Sequence, residues 1–334
     1  MPFAFDISRP FAAIVVGRAG MDLYPLPDGT ETEMAAQFAA EIGGSAGNIA
    51  VALCRQGYSA ALLGAFSDDP VGRFVRAHLA RYGVDTSRCR TVSGGFRTSL
   101  AICETRPADS ETVFYRNGAA DLELSADDFD SSFISSAAVL IVTGTALAAE
   151  PSRAAALQAL DMARATGTFS ILDLDHRPVS WRSIDEAMGI YAGAADRCDA
   201  VIGNDDEFAV IAGSPAQAMA AAAGFVKNGR HFAIFKQGSA GSITITRDHS
   251  FRTGIFAVAV KKPFGAGDAF LGNLVAALLR GMALEPAVAR ASAAAAYVVS
   301  RRGCAFAMPT TMELDLFVKN HAMTCEAADA HSPS

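Results

Sequence analysis

Apolar residues in this chain fall into short unbroken runs, separated by longer stretches in which they recur at helical spacing. Residues 12–16, 60–66, 139–142, 169–174, 200–202 and 232–235 are β-branched or wholly apolar and predict strands buried on both faces. Between them, residues 49–56, 71–82, 151–166, 204–211, 215–228 and 268–280 predict helices, several opened by Ser, Asp, Asn or Pro and closed by Gly. Strands alternating with helices imply an α/β fold with a parallel sheet covered on both faces and ligands at the C-terminal strand ends. Two segments, 17–41 and 95–118, break that rhythm. In the second, residues 99–104 and 112–115 alternate like half-exposed strands joined by Arg106-Pro107-Ala108-Asp109, and a small β lid over the site is expected. Residues 323–334, polar with Ala, Ser and Pro, read as a frayed tail.

The chain has 334 residues, 51% of them apolar and 19% charged, which suits one large folded domain and excludes extensive disorder. Its net charge of -7 comes without any basic run, so nucleic acid and anionic membrane are not expected partners. An anionic small molecule must then be met by local Arg, Lys or backbone N–H groups. The six cysteines are scattered, without a C-x-x-C pair or a His at ligand spacing, and predict reduced buried thiols. The first twenty residues lack a basic stretch and a cleavage site. The Ala-rich stretch 283–300 is broken by Glu285, Pro286 and Arg290, so a cytoplasmic location is expected.

Candidate chemistry begins at Phe264-Gly265-Ala266-Gly267-Asp268, a glycine turn leading into an apolar helix. Gly265, Ala266 and Gly267 let N–H groups converge on a phosphate at the positive end of the helix dipole. Asp268 beside them is placed to take a proton from a substrate hydroxyl, and reads equally as a helix cap. In Gly43-Gly44-Ser45-Ala46-Gly47-Asn48, Gly44 permits close approach of a polyol and Asn48 offers a donor and an acceptor; the plain alternative is a loop before a helix. Asn204 and Glu207 open another helix, where Glu207 either holds Mg²⁺ through water or only makes the first turn acidic. Lys236, Gly238 and Gly241 end a strand and either wrap a nucleotide phosphate or make a tight hairpin turn. His176 and His231 have no nucleophile beside them and read as structural.

The order of these motifs resembles the ribokinase/PfkB carbohydrate kinase family over residues 11–317. The resemblance implies a ribokinase-like three-layer α/β/α fold, one kinase domain over residues 11–320, a mostly parallel sheet and a small β-sheet lid. It implies ATP and Mg²⁺ as cofactors, Asp268 as catalytic base, Gly265–Gly267 as anion hole, and Asn204 with Glu207 supporting magnesium and phosphates. Gly44 and Asn48 would bind the sugar.

Longer strings are similar to the 5-dehydro-2-deoxygluconokinase branch, which phosphorylates 2-deoxy-5-keto-gluconate in inositol catabolism. They are Gly17-Arg18-Ala19-Gly20-Met21-Asp22-Leu23-Tyr24-Pro25, Arg116-Asn117-Gly118-Ala119-Ala120-Asp121, Asp173-Leu174-Asp175-His176-Arg177-Pro178 and Lys262-Pro263-Phe264. Arg18, Arg116 and Arg177 suit a bidentate grip on a substrate carboxylate, with surface ion pairs as the plain alternative. Asp22 and Asp175 suit hydroxyl recognition or turn capping. Most of the family carries Asp-Thr where this chain has Lys262-Pro263, which puts a monovalent-cation site in doubt and offers Lys262 or Lys261 as a fixed positive charge instead. An exposed lid also offers edge strands through which two copies can pair. The rival readings are another kinase of this fold, for 2-keto-3-deoxygluconate, fructose or a nucleoside, and a non-catalytic sugar or nucleotide sensor.

Overall fold

Successive strand residues point to opposite faces of a sheet, and in β1 (Phe11–Val16) both sets are apolar. Ala13 and Val15 belong to one buried cluster, Ile14 and Val16 to a second. Such a strand has to be covered on both sides. A computed structural model of the chain describes residues 5–106, 109–262 and 264–324. After β1 the chain forms β2 (Gly20–Leu26), β3 (Gln37–Gly43) and α1 (Ser45–Arg55), then returns as β4 (Ala60–Leu63). There follow β5 (Ala65–Ser67), α2 (Pro70–Arg81), β6 (Arg90–Val92), β7 (Leu100–Cys103), β8 (Thr112–Tyr115) and α3 (Ser131–Ser135). Strands and helices then alternate through β9 (Ala137–Thr143), α4 (Ser152–Thr166), β10 (Phe169–Asp173), α5 (Ile184–Ala195), β11 (Ala200–Asn204), α6 (Asp205–Ala212), α7 (Ala218–Lys227) and β12 (Phe232–Lys236). The chain closes with β13 (Ser242–Thr246), β14 (Ser250–Thr253), β15 (Ile255–Phe256), α8 (Ala266–Leu279), α9 (Leu284–Val299), α10 (Thr311–Asn320) and β16 (Met323–Thr324).

Eight strands form the main sheet in the order β14-β13-β12-β11-β10-β9-β1-β4. From β12 to β4 neighbours are parallel; β13 and β14 are antiparallel additions at one edge. One face packs on α1, α2, α8, α9 and α10, the other on α3 to α7. This is the expected three-layer arrangement, and it gathers the C-terminal ends of β10, β11 and β12 at one rim.

The run expected at 60–66 is two strands. The chain turns at Gly64, whose carbonyl accepts from the Arg90 N–H, and the backbone passes from pairing with β1 to pairing with β6. The two segments that broke the α/β rhythm supply a separate sheet, β3-β2-β7-β8, with a small core of Tyr24, Ala101 and Cys103. Its outer strand β8 leaves Val113, Phe114 and Tyr115 exposed. Pro107 and Ala108 of the expected connecting turn lie outside the described residues. The frayed tail is corrected at its start: Met323 and Thr324 pair with Phe256 and Ile255, because a short exposed segment still gains backbone partners along β15. The rest of that tail lies outside the described residues. Among the described residues no single helix is long and apolar enough to cross a membrane.

Candidate active site

The glycine turn is built as its residue types require. Gly265 caps α8 at φ +79°, where a Cβ would stand 3.0 Å from the Cys304 Sγ, so only glycine sits there without strain. The helix starts at Ala266, ahead of the expected Asp268. Asp268 therefore lies inside the first turn, beside backbone N–H groups that have no partner within the helix. Its Oδ2 accepts from the Asn48 Nδ2 at 2.7 Å. Asn48 is not in a loop as expected: α1 begins at Ser45, and the first turn of one helix holds a residue in the first turn of the other. Enclosure by protein pushes the Asp268 carboxyl up to about 6, and the Asp175 carboxylate adds to the rise against the opposing pull of Asn48, Arg177 and Lys236.

Around this carboxyl the parallel strands deliver a cluster of charge. Asp173 ends β10, Lys236 ends β12 opposite Asn204 of β11, and Glu207 lies in the first turn of α6. The Lys236 Nζ is 3.8 Å from the Asp173 Oδ1. Burial raises the Asp173 carboxyl well above its usual range, with Asp175, Glu207 and Asp268 adding to it and Lys236 opposing. Asn204 and Glu207 cap one another: the Asn204 side chain accepts from the Glu207 N–H at 2.8 Å, and Glu207 Oε2 accepts from the Asn204 N–H at 2.7 Å. Glu207 Oε1 accepts from the His176 N–H at 3.2 Å. The capping alternative is thus what this pair does in the fold, and both oxygens keep a free lone pair. Asp175 holds the rare backbone angle φ +32°, pairs with Arg177 at 2.8 Å and leaves its buried Oδ2 without a partner.

Two cavities border this cluster, the first through Lys236 and Gly267 and the second through Arg177; Asp268, Asn48 and Gly44 line neither. The first, about 540 Å³, has apolar walls from Phe256, Val258 and Val299 and ends on Lys236, Gly238, Gly241, Ala266 and Gly267. Gly238 and Gly241 make the hairpin turn between β12 and β13, the second of the two readings of that segment, and both also line this cavity. The second cavity, about 580 Å³, is lined by Arg18, Arg116 and Arg177 together with Phe114, Asn117 and Ser180. The three arginines, distant in sequence, share one space. They differ in what already occupies them. Arg116 is engaged by Asp121 at 2.5 Å, the Ser180 hydroxyl at 2.9 Å and the Thr145 carbonyl at 3.0 Å. Arg177 has Asp175. Arg18 is buried, lies over the Phe114 ring at 5.8 Å, and has no hydrogen bond or ion pair among the described residues.

Other expected site residues stand further back. Asp22 lines neither cavity. Its buried carboxyl faces the Tyr24 hydroxyl at 3.3 Å and is so close to Gly43 that a Cβ there would lie 1.9 Å from it. Gly44, at φ +89°, packs on the Arg18 carbonyl and steers β3 into α1. Of the two lysines before the turn, Lys261 is exposed and Lys262 fully buried. The Lys262 Nζ donates to the Phe264 carbonyl and reaches the Cys304 Sγ at 3.7 Å, while Pro263 lies outside the described residues. Two residues of this neighbourhood had no role assigned from sequence. Asp173 and Asp121 both sat within the strings quoted above, but only the fold shows that one faces Lys236 and the other holds Arg116.

An apolar cleft ending on glycine N–H groups, set across one carboxyl from a cation-lined cavity, is the layout of an enzyme that passes a phosphoryl group between two small molecules. Comparison with known proteins agrees. The pfkB family carbohydrate kinase pattern matches residues 12–311, and the chain belongs to that family of ATP-dependent sugar kinases. It is 41% identical over 321 residues to a 5-dehydro-2-deoxygluconokinase of Photobacterium profundum, covering 95% of this chain and 97% of that one. It is 36% identical to a 5-dehydro-2-deoxygluconokinase of Geobacillus kaustophilus, covering 95% and 96%. Among solved structures, the PfkB protein of a Polaromonas species superposes with TM-score 0.81 at 25% identity over 91% of this chain and 99% of that one. An E. coli protein in complex with ATP and Mg²⁺ shares the fold with TM-score 0.84 at 21% identity, over 93% and 100%. The ribokinase-like fold expected from the motif order is therefore the fold observed.

Proposed function

We propose that this chain transfers the terminal phosphoryl group of ATP to a primary hydroxyl of a small sugar acid, 2-deoxy-5-keto-gluconate in particular, with Asp268 as general base. The observation that carries the reading is the arginine-lined cavity, above all a buried Arg18 that makes no hydrogen bond or ion pair among the described residues. A neutral sugar gives no reason to gather three guanidinium groups, one of them buried, around one space. The names of the relatives point the same way.

The nucleotide base lies against the apolar walls of the first cavity, with its phosphates toward Lys236, Gly238 and the start of α8. The acid's carboxylate sits on Arg18, and Arg116 and Arg177 close around it. Gly44 and Asn48 border the sugar hydroxyls. Asn48 fixes one oxygen of Asp268, leaving the other to take the proton of the attacking hydroxyl. Oxygen donors of Asn204, Glu207 and Asp175 match Mg²⁺ chemistry, and the unpartnered Asp175 Oδ2 is the group most open to it. No group of three or more ligating side chains gathers among the described residues, so these residues would hold the ion through water. When bound, Mg²⁺ neutralises phosphate charge. The β3-β2-β7-β8 sheet beside the second cavity acts as a lid that excludes water.

The test is the product. Phosphorus NMR after incubation with Mg–ATP and 2-deoxy-5-keto-gluconate is expected to show a monoester split into a triplet by a CH₂ group. A doublet from a secondary carbon, or ADP without a sugar phosphate, contradicts the proposal. Lys262 adds a second expectation. Its buried ammonium supplies fixed charge beneath the turn, so exchanging sodium for potassium at constant ionic strength leaves turnover within about two-fold. A rise of about tenfold or more overturns that role.

A further inference from the structure

Lys236 is an ammonium with nowhere settled to go. It is half-buried, with 19% of its side chain exposed at the wall of the first cavity, and it makes no hydrogen bond among the described residues. Its ion pair with Asp173 is long, at 3.8 Å, beyond hydrogen-bond distance. An ammonium has three donors, and with none of them taken by the protein they are left to whatever occupies the cavity. The surroundings show where that acceptor comes from. A Cβ on Gly267, in the first turn of α8, would stand 3.4 Å from the Lys236 Nζ, and Lys236 and Gly267 line the same end of the nucleotide cleft. The ammonium thus lies between the free N–H groups of α8 on one side and the carboxyl cluster containing Asp268 on the other.

We infer that Lys236 is a catalytic residue whose ammonium turns from Asp173 to an oxygen of the phosphoryl group in transfer. This rests on the phosphoryl-transfer reading above and adds the residue that meets the developing charge. In the step, the bond from the acceptor oxygen to phosphorus forms and the bond from phosphorus to the bridging oxygen breaks. The electron pair leaves with the nucleoside diphosphate, and the hydroxyl proton goes to Asp268. Lys236 gives up neither proton nor electrons; it stabilises charge that spreads over the phosphoryl oxygens only in the transition state. The nearby carboxylates keep it charged: burial opposes its charge, yet Asp173, Glu207, Asp268 and Asp175 together hold its pKa above the ordinary lysine value.

A purely structural lysine, present only to balance the carboxylates, predicts different behaviour. The experiment compares wild type with Lys236→Met, using the acceptor that gives the highest wild-type turnover. It measures kcat, binding of ADP, and binding of ADP with aluminium fluoride plus acceptor, a mimic of the phosphoryl group in flight. The expected result is a loss of about 100-fold in kcat and a similar loss for the mimic, with ADP affinity changed less than about three-fold. Lys236→Met combined with Asp173→Asn, measured against Asp173→Asn alone, gives the same comparison if an unpaired Asp173 prevents folding. A kcat within about tenfold of wild type, or equal weakening of ADP and the mimic, overturns the inference. If the best acceptor is a neutral sugar, the sugar-acid reading falls while the Lys236 comparison stands.

Discussion

Asp268→Asn is expected to bind nucleotide and sugar with near-normal affinity and to turn over about 10²–10⁴ times more slowly. The amide has the size of the carboxyl and its oxygen still accepts from the Asn48 side chain, so the junction between α1 and α8 is kept. It cannot accept a proton. The pH profile of the wild-type enzyme reports on the same group. Enclosure raises the carboxyl from an ordinary 3.8 to about 6, and the proposed base works as the carboxylate. As pH falls through about 6 the base becomes protonated, so kcat/KM drops with a slope near one below that value and is flat above it. In Asp268→Asn that limb disappears. A variant with nearly wild-type kcat, or an acid limb that survives the substitution, removes Asp268 from the role of base.

The second large effect is expected at Arg18. Its guanidinium is buried, lies over Phe114 and makes no hydrogen bond or ion pair among the described residues; Asp22 and Asp121 feel its charge, but its N–H donors are free for the ligand. Arg18→Met keeps much of the apolar stem and removes the charge. Loss of a charge-assisted, desolvated contact is worth about 2–4 kcal/mol, or about 30- to 1,000-fold in kcat/KM for an acid substrate. Turnover of neutral sugars should barely change. Arg116→Met should behave differently, because it strips buried Asp121 of its ion-pair partner and leaves it the Ser99 hydroxyl as hydrogen-bond donor, a stability defect before it is a binding one. Equal losses for acid and neutral substrates in Arg18→Met would mean that the residue supports the lid and not the carboxylate.

Much of this arrangement was legible in the chain because it rests on local chemistry. Buried parallel strands leave apolar runs, glycine turns announce themselves, and 112–115 is the strand expected, although Val113, Phe114 and Tyr115 are all exposed where alternation was expected. What was not legible depends on contacts between distant segments. The Asn48–Asp268 hydrogen bond spans 220 residues, and nothing at either end marks its partner. The sequence predicts α1 only from Ile49 because Ser45 to Asn48 is poor in helix formers; burial of that whole turn overrides propensity. β13 and β14 escaped because their polar alternation reads as a loop unless β12 is there to pair with. α9 looked like a broken Ala-rich stretch, yet Pro286 lies in its first turn, where proline is tolerated. The capping box of Asn204 and Glu207 was visible as an acidic helix start, but that both Glu207 oxygens already accept backbone N–H groups required the fold to bring in His176. The arginines were named from sequence; which of them is unpaired was decided by Asp121 and Asp175.

The measurement closest to the central claim is a coupled ADP-release assay with Mg–ATP across 2-deoxy-5-keto-gluconate, 2-keto-3-deoxygluconate, fructose, ribose and adenosine. The arginine cavity predicts that 2-deoxy-5-keto-gluconate gives the highest kcat/KM, with the neutral sugars and the nucleoside about 100-fold or more below it. A neutral sugar or adenosine at the top of that series would contradict the assignment of this site to a sugar acid.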